Sequence, residues 1–461
     1  MRVKPAPVIA ALAFALAPAA RALDLLEAWQ AAEQHAAEAA VARAARDAGA
    51  AQQRQADALW RPNVALEGGA AYGSAETTVR GARFGAPAFG RSDDVSFDTS
   101  VTGGTSTRYA LALRQPIYSR ERSARGDRLA IAAQAAETGW TQARQALMLR
   151  TAEAWFDVAL AGERLRLVAR QQAAVERTLA ETRERFRVGD KPVTDVHEGQ
   201  ARAAALAADR LAAETALELA RHALADLTGV DDAAPLPLSG DAPQRGSLPT
   251  LEDWLARADA HNAGLELASR RVAAAEAEAR ATDAPFSPTL DVVARVGRER
   301  ISGDGDFGNA RTSSRDASIG LQLALPLYTG GMRSAQHAEA AARIAGAQAE
   351  LDAARRRVAH ETRAAWLELS VGWERSAALA AALDASRLRL DATRTGLEAG
   401  DRTTLDLLNA ENDAAAAELA LAQARIRLLT DRLRLALLAG ELDEAALRQA
   451  QAGLVARTPE R

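Results

Sequence analysis

The side chains that could do chemistry in this chain are charged groups at two glycine-containing turns, because the familiar catalytic patterns are missing. The six histidines form neither an H-E-x-x-H pattern nor another pair with metal-ligand spacing. No phosphate-binding loop, nucleophile elbow or glycine-rich dinucleotide motif occurs. We therefore expect no enzymatic activity, no metal and no cofactor, and any energy for the action of the protein must come from partners.

Opposite charges lie at equivalent turns of the two halves of the chain. Asp195 follows the turn at Gly189-Asp190, and Arg402 directly follows the turn at Gly400-Asp401. An ion pair that holds the two turns together is one hypothesis. The alternative is that both are solvated loop charges, worth about 0 to 1 kcal/mol even when paired. His197 could add sensitivity to pH at the first turn.

The two turns belong to halves of the chain that align almost without gaps. Prolines of matching segments lie 210 residues apart, and beyond them the offset is 211 residues. The matching segments are 114–118 and 324–328, 154–155 and 365–366, 188–190 and 399–401, 227–229 and 438–440, and 26–29 and 251–254. We predict a signal peptide over 1–22, a first repeat over 23–229, a linker over 230–249, a second repeat over 250–440 and a tail over 441–461.

The first 22 residues have the layout of a secretory signal, with a basic start, an apolar stretch and a small-x-small cleavage site. Its removal takes away Arg2, Lys4 and Arg21 and changes the formal net charge from −4 to −7, which argues against nucleic acid as a partner. Cysteine is absent, so the chain has neither disulfides nor an acylated N-terminal cysteine. An exported protein without disulfides fits a bacterial envelope.

Long helices are predicted on both sides of each turn. Residues 119–187 contain no proline, and apolar residues recur there at coiled-coil spacing, a pattern that 330–397 repeats. About 68 residues at 1.5 Å per residue would span on the order of 100 Å. Each half therefore predicts an antiparallel helical hairpin. Four prolines in the linker exclude a regular helix there.

Between a shorter opening helix and each long helix, the sequence pattern changes to period two. Apolar and polar residues alternate over 319–327, 290–297 and 109–114, and a weaker strand follows Pro62. Such alternation is typical of ten-residue outer-membrane strands and also of soluble sandwiches. The joining segments 74–106 and 301–316 are rich in Gly, Ser, Thr and Asp and are predicted to be extracellular loops.

The tyrosines favour the membrane interpretation of these strands. All four lie within the predicted strands or at their ends, where the aromatic girdles of outer-membrane barrels lie: Tyr72, Tyr109, Tyr118 and Tyr328. No apolar run after the signal approaches the roughly 18 to 20 residues that a transmembrane helix needs, so membrane passage would use strands.

Four strands in one chain cannot close a barrel by themselves. An open edge in lipid leaves unpaired backbone groups that cost several kcal/mol each. Two chains would supply eight strands and a filled interior, whereas three chains would supply twelve and leave a lumen. We therefore expect a homotrimer that contacts outer-membrane lipid.

Paired strands, a long helix, a VGD or AGD tip and a returning helix together resemble the TolC family of trimeric outer-membrane channel proteins. The resemblance covers essentially the whole mature chain and is most specific over 400–409, with a second good match over 189–196. It implies an α+β membrane protein in the cell outer membrane. Its 12-stranded barrel, with four strands per chain, would continue into a long α-helical barrel in the periplasm.

The resemblance also implies a gate at the helix tips. In this family an arginine of the second tip bonds an aspartate of the first tip in the closed state, and further aspartates ring the aperture. By position these residues are Arg402, Asp195 and Asp406. Two positions depart from the family pattern, because Leu397 replaces a tyrosine and Asn409 replaces the second ring aspartate.

The function that the resemblance implies is a passive export duct. Its partners would be a periplasmic adaptor, or membrane fusion, protein and an inner-membrane transporter of the RND or ABC class. Small-molecule efflux and type I secretion of a protein both use such a duct, and the sequence does not separate them. The alternative from another class is a soluble periplasmic or surface coiled-coil scaffold, which extraction without detergent would release.

Overall fold

A computed structural model describes residues 22–88, 90–231, 234–235, 249–305, 308–328 and 330–452. The predicted signal peptide, apart from Ala22, lies outside the described residues, as do most of the predicted linker and the last nine residues of the predicted tail. The chain divides into two compact units. Among the described residues, the first spans 22–47, 136–269 and 350–452, and the second spans 48–135 and 270–349.

The two halves of the chain share one order of helices and strands, and the second half adds a 3₁₀ turn and a final helix. The first half contains β1 (Ala22–Leu23), α1 (Leu25–His35), α2 (Ala37–Ala58), β2 (Asn63–Ala86), β3 (Gly90–Ser119), α3 (Arg120–Arg187) and α4 (Val193–Thr228). The second half contains β4 (Ala234–Pro235), α5 (Leu251–His261), α6 (Ala263–Ala281), a 3₁₀ turn (Ala284–Phe286), β5 (Thr289–Gly305), β6 (Gly308–Ala324), α7 (Met332–Ala399), α8 (Thr404–Leu438) and α9 (Glu444–Ala452). The two long helices, each of 68 residues, are confirmed.

In the first unit, duplicated tryptophans tie the long helices to the segments that precede the opening helices. Trp155 Nε1 donates a hydrogen bond of 2.8 Å to the carbonyl oxygen of Leu23. Trp366, at the matching position of the second repeat, donates one of 3.2 Å to the carbonyl oxygen of Pro249. Trp155 is fully buried, so the bond satisfies a donor that would otherwise be unpaired inside the protein.

Duplicated glycines end the returning helices against the opening helices. Gly229 has a φ of 68° and would meet the ring of His35 if it carried a Cβ atom. Gly440 has a φ of 70°, and a Cβ atom there would lie 2.1 Å from the carbonyl oxygen of His261. Both positions need glycine for the left-handed backbone and for the close approach.

The second unit contains an antiparallel four-stranded sheet in the order β2-β3-β5-β6, which confirms the four predicted strands. The prediction of loops at 74–106 and 301–316 is wrong. Pairing between β2 and β3 continues to Ala86 and Gly90, and pairing between β5 and β6 continues to Gly305 and Gly308. Polar composition indicated exposure to water, yet backbone groups in long hairpins still bond to each other.

The last strand is shorter at its other end than the period-two pattern predicts. The alternation continues to residue 327, whereas β6 ends at Ala324. Pro326 explains the difference, because proline has no N–H group to donate to the strand ladder.

None of the helices in the described part of the chain combines the length and the low polarity that crossing a membrane would require.

Candidate functional site

The two helix tips, which belong to the first unit, share one backbone geometry. Gly189 and Gly400 have φ angles of 81° and 83°; Gly189 lies two residues after the end of α3, and Gly400 lies directly after the end of α7. The following aspartates, Asp190 and Asp401, each donate a backbone hydrogen bond of 2.8 Å to the carbonyl of the residue five positions earlier. The glycines permit the left-handed turn, and these bonds satisfy carbonyls at the helix ends.

Asp195 lies in the first turn of α4 and links the two tips within one chain. Its Oδ2 accepts a hydrogen bond of 3.3 Å from Thr404 Oγ1, at the start of α8 in the second tip. Lys191 of its own tip lies 3.9 Å away. Within one chain, the residue of the second tip that Asp195 contacts is Thr404, and the predicted pairing of Asp195 with Arg402 stays a prediction.

Arg402 is exposed in the second tip and does not reach Asp195 in the single chain. Its backbone N–H donates to the carbonyl of Gly396 at 3.2 Å, and its side chain packs over that same glycine. Within the described residues, no carboxylate lies within 4.0 Å of its guanidinium group.

Asp406 combines a negative charge with a structural role. Its Oδ2 accepts hydrogen bonds of 2.9 Å from both the backbone N–H and the hydroxyl of Thr403, and its own N–H donates to Thr403 Oγ1 at 3.1 Å. This reciprocal capping box begins α8. The backbone bond from Thr403, followed by the hydroxyl bond and the nearby Arg402 charge, lowers the pKa of Asp406. The carboxyl group is thus ionised at neutral pH.

The remaining predicted tip residues lie close to these groups. Asn409 is exposed one turn after Asp406, and Leu397 is partly buried, with its carbonyl accepting from Gly400 N–H at 3.2 Å. His197 is exposed, and its Nδ1 lies 3.3 Å from Gln200 Oε1.

Further along the helices, one carboxylate contacts arginines of both helical hairpins. The sequence analysis did not identify this carboxylate. Glu418 on α8 lies 2.9 Å from Arg170 and 3.2 Å from Arg166, both on α3. Arg387 on α7 lies 3.8 Å away from the same carboxylate. The position of these charges on three helices could be recognised only from their packing in space.

The sheet of the second unit has one apolar and one polar face. Direct strand partners point to the same side, and the register places Leu66, Leu111 and Val296 in one row and Leu113, Ala294 and Ile319 in another. The apolar side chains on the edge strands are strongly exposed, at 78% for Leu66 and 80% for Ile319. Such a continuous apolar surface must be covered by lipid or protein.

The tyrosines share this apolar face on β2 and β3. Tyr118 and Tyr109 lie at the two ends of the apolar part of β3, around Leu111 and Leu113. Tyr72 lies on β2, four residues after Gly68, which pairs with Tyr109. Tyr328 is exposed but lies four residues after the end of β6.

The polar face carries ion pairs that cross several strands. Arg295 on β5 lies 3.2 Å from Glu67 on β2 and 3.7 Å from Asp316 on β6, so one guanidinium group contacts both edge strands. Arg114 on β3 similarly lies 3.6 Å from Asp291 and donates a hydrogen bond of 3.1 Å to Gln322. These charges are typical of a surface that faces water.

Among the described residues, no group of three or more His, Cys, Asp or Glu side chains converges in a way that could hold a metal ion.

Comparison with known proteins identifies the family. The outer membrane efflux protein family matches residues 20–230 and 254–441. The proteases secretion protein PrtF of Dickeya chrysanthemi is 29% identical over 439 residues, which cover 93% of this chain and 91% of PrtF. The outer membrane protein TolC of Vibrio cholerae is 29% identical over 342 residues, covering 74% of this chain and 78% of TolC.

The fold agrees with solved structures. The outer membrane protein VceC of Vibrio cholerae superposes with a TM-score of 0.69 at 21% identity, covering 91% of this chain and 97% of VceC. This chain therefore belongs to the outer membrane efflux protein family. The predicted resemblance and the outer-membrane location are confirmed, and the soluble scaffold is not favoured.

Proposed function

We propose that three copies of this chain form a passive export duct through the outer membrane, with the helical hairpins as its periplasmic part. The duct is recruited by a periplasmic adaptor protein and an inner-membrane transporter of the RND or ABC class, which supplies the energy. Its substrates are small molecules or a protein secreted by a type I system. Relatives named for protease secretion and for efflux both support this range.

The observation that carries the proposal is the open sheet with exposed apolar side chains. β2 and β6 are its edges, and the described residues include no further strand that pairs with either one. An unpaired strand edge in lipid is strongly unfavourable. Pairing it with the edge strand of an identical chain gives the backbone groups of every edge strand hydrogen-bonding partners. Twelve strands leave a water-filled interior, which the charged face with Arg295 and Arg114 would line.

We also propose that the tips form the gate. Arg402 is free of ion pairs in the described chain, while Asp195 accepts only one long hydrogen bond from Thr404 and a distant contact from Lys191. In a trimer, Arg402 would bind Asp195 of a neighbouring copy and hold the hairpins together. Asp406 and Asn409 would line the aperture, and Leu397 would leave the closed state without the hydrogen bond of a tyrosine.

The test is the conductance of single trimers in planar lipid bilayers. Arg402→Ala removes the proposed latch and should raise the conductance above that of the wild type. Arg187→Ala is the matched control, because Arg187 is an exposed arginine of the first tip whose partner, Glu184, lies on its own helix at 3.2 Å. An unchanged conductance in Arg402→Ala, over several protein preparations, would disprove the latch. A wild-type protein that never conducts would disprove the duct.

A further inference from the structure

A group of unpaired arginines lies where the first hairpin of the sheet joins its helices. We call Trp60, Arg61, Tyr118, Arg120 and Arg125 the junction surface. Tyr118 ends the apolar face of β3, and α3 begins two residues later at Arg120. Trp60 and Arg61 directly precede β2, and Trp60 is held beside β3 because its carbonyl accepts a 2.9 Å hydrogen bond from Gln115 Nε2.

The arginines of the junction surface form no ion pair with the described residues. Arg61, Arg120 and Arg125 are exposed, and within the described residues none has a carboxylate within 4.0 Å. Neighbouring arginines differ in this respect. Arg122 donates to the carbonyl of Leu59 at 3.0 Å, and Arg128 lies 2.6 Å from Glu278.

The stability of α3 does not explain these charges. The dipole of a helix disfavours cations in its first turn, where Arg120 lies, and Arg125 follows in the second turn. Glu121 is the one acidic residue of the first turn. These positive charges therefore destabilise the helix slightly, and a bound anion would offset that destabilisation.

The second repeat provides an internal comparison. At the offset of 211 residues, Gly331 replaces Arg120 and Gln336 replaces Arg125. Arg333, the counterpart of Arg122, lies 2.7 Å from Asp283, so the charge of this arginine is balanced. At these three positions, the unbalanced positive charges of the first repeat therefore have no counterpart in the second repeat.

We propose that the junction surface binds the phosphate group of an anionic phospholipid in the periplasmic leaflet of the outer membrane. A guanidinium group can donate two parallel hydrogen bonds to phosphate oxygens, so Arg61, Arg120 and Arg125 are suited to bind a phosphate group. Trp60 and Tyr118 are the residue types that lie at headgroup level. The acyl chains would lie on the apolar face that starts at Tyr118. The proposal rests on the membrane placement of the proposed function.

The test measures lipid binding to the purified full-length trimer in detergent by native mass spectrometry. Phosphatidylglycerol is the probe, phosphatidylcholine tests the need for net negative charge, and inorganic phosphate tests the need for acyl chains. The variant is R61Q/R120Q/R125Q. The control is R183Q/R363Q/R375Q, which removes three exposed arginines of α3 and α7 outside the junction surface.

We expect the wild type and the control to retain phosphatidylglycerol in preference to phosphatidylcholine. The variant should bind it on the order of tenfold or more weakly, because each basic residue near an anionic lipid surface contributes to binding. Equal binding in variant and wild type would overturn the proposal. Displacement of the lipid by millimolar inorganic phosphate would overturn the assignment to a lipid.

If the variant does not assemble, the wild type alone still tests the proposal. A wild type that binds phosphatidylglycerol no better than phosphatidylcholine contradicts it. Trimer mass and bilayer conductance are measured on the same samples. A conducting trimer without lipid preference refutes this inference and leaves the export duct intact, whereas a wild type that neither trimerises nor conducts refutes the duct.

Discussion

Replacing Asp431 with asparagine should stabilise the protein at neutral pH. Asp431 lies on α8, is only 6% exposed, and faces Glu368 of α7 as well as Arg427 and Arg434 of its own helix. Burial, with Glu368 as the second cause, raises the pKa of Asp431 from 3.8 to about 6. Arg427 partly opposes this shift but lies 3.9 Å away.

The raised pKa sets both the sign and the pH window of the effect. Between about pH 4 and pH 6 the folded chain keeps a proton on Asp431 that the unfolded chain has released. Stability therefore falls as the pH rises through this window, and the full cost is present above it. A shift of roughly two pKa units corresponds to about 3 kcal/mol. Asp431→Asn removes the charge at almost constant volume and should recover much of that amount.

The assay is thermal unfolding of the detergent-solubilised protein at pH values from 4 to 8. Asp431→Asn should melt a few degrees above the wild type at pH 8, and the difference should vanish near pH 4. Asp401→Asn is the control, because Asp401 is exposed at the second tip. A variant that melts at or below the wild type at pH 8, or a difference that does not change with pH, would refute the reasoning.

Two further predictions concern the second repeat. Gly440→Ala should destabilise the protein by several kcal/mol, because its Cβ atom would lie 2.1 Å from the carbonyl oxygen of His261 in a left-handed turn. Gly400→Ala is the control and should cost only about 1 to 2 kcal/mol of backbone strain, since nothing lies within 4 Å of a Cβ atom there. Equal melting temperatures of the two variants would contradict this prediction. Asp406→Asn should keep the capping bond from Thr403 and lower the cation preference of the pore, measured as a reversal potential, and anion preference in the wild type would contradict an acidic aperture.

Most of the fold could be predicted because its signals are periodic and duplicated. The long helices follow from a sustained coiled-coil pattern without proline, and the matching of Trp155 with Trp366 predicted equivalent positions that make equivalent hydrogen bonds. The strand faces follow from alternation of apolar and polar residues. These signals are local, so one sequence is enough to read them.

The details of the site depend on packing between distant segments. Asp195 and Thr404 are 209 residues apart, and only the positions of two helix ends bring them together. The same holds for Glu418 and its arginines. The extent of the strands was wrong for another reason, since Gly, Ser and Thr are common both in loops and in exposed hairpins. Trp60 was missed because it precedes its strand and has no alternating neighbours.

The central claim, that identical chains close one barrel edge to edge, can be tested by engineered disulfides. The chain has no cysteine, so only introduced pairs can react. Within one chain β2 and β6 are three strand spacings apart, roughly 14 Å, whereas a disulfide needs Cβ atoms about 4 Å apart. One cysteine replaces Leu66 on β2, and a second is moved along the apolar face of β6 through Ala317, Ile319, Leu321 and Leu323.

Non-reducing gel electrophoresis after oxidation gives the answer. At one or two of the β6 positions we expect crosslinked dimers and a closed trimer as the largest product. Monomers at every position, or a ladder that continues beyond three chains, would contradict the account.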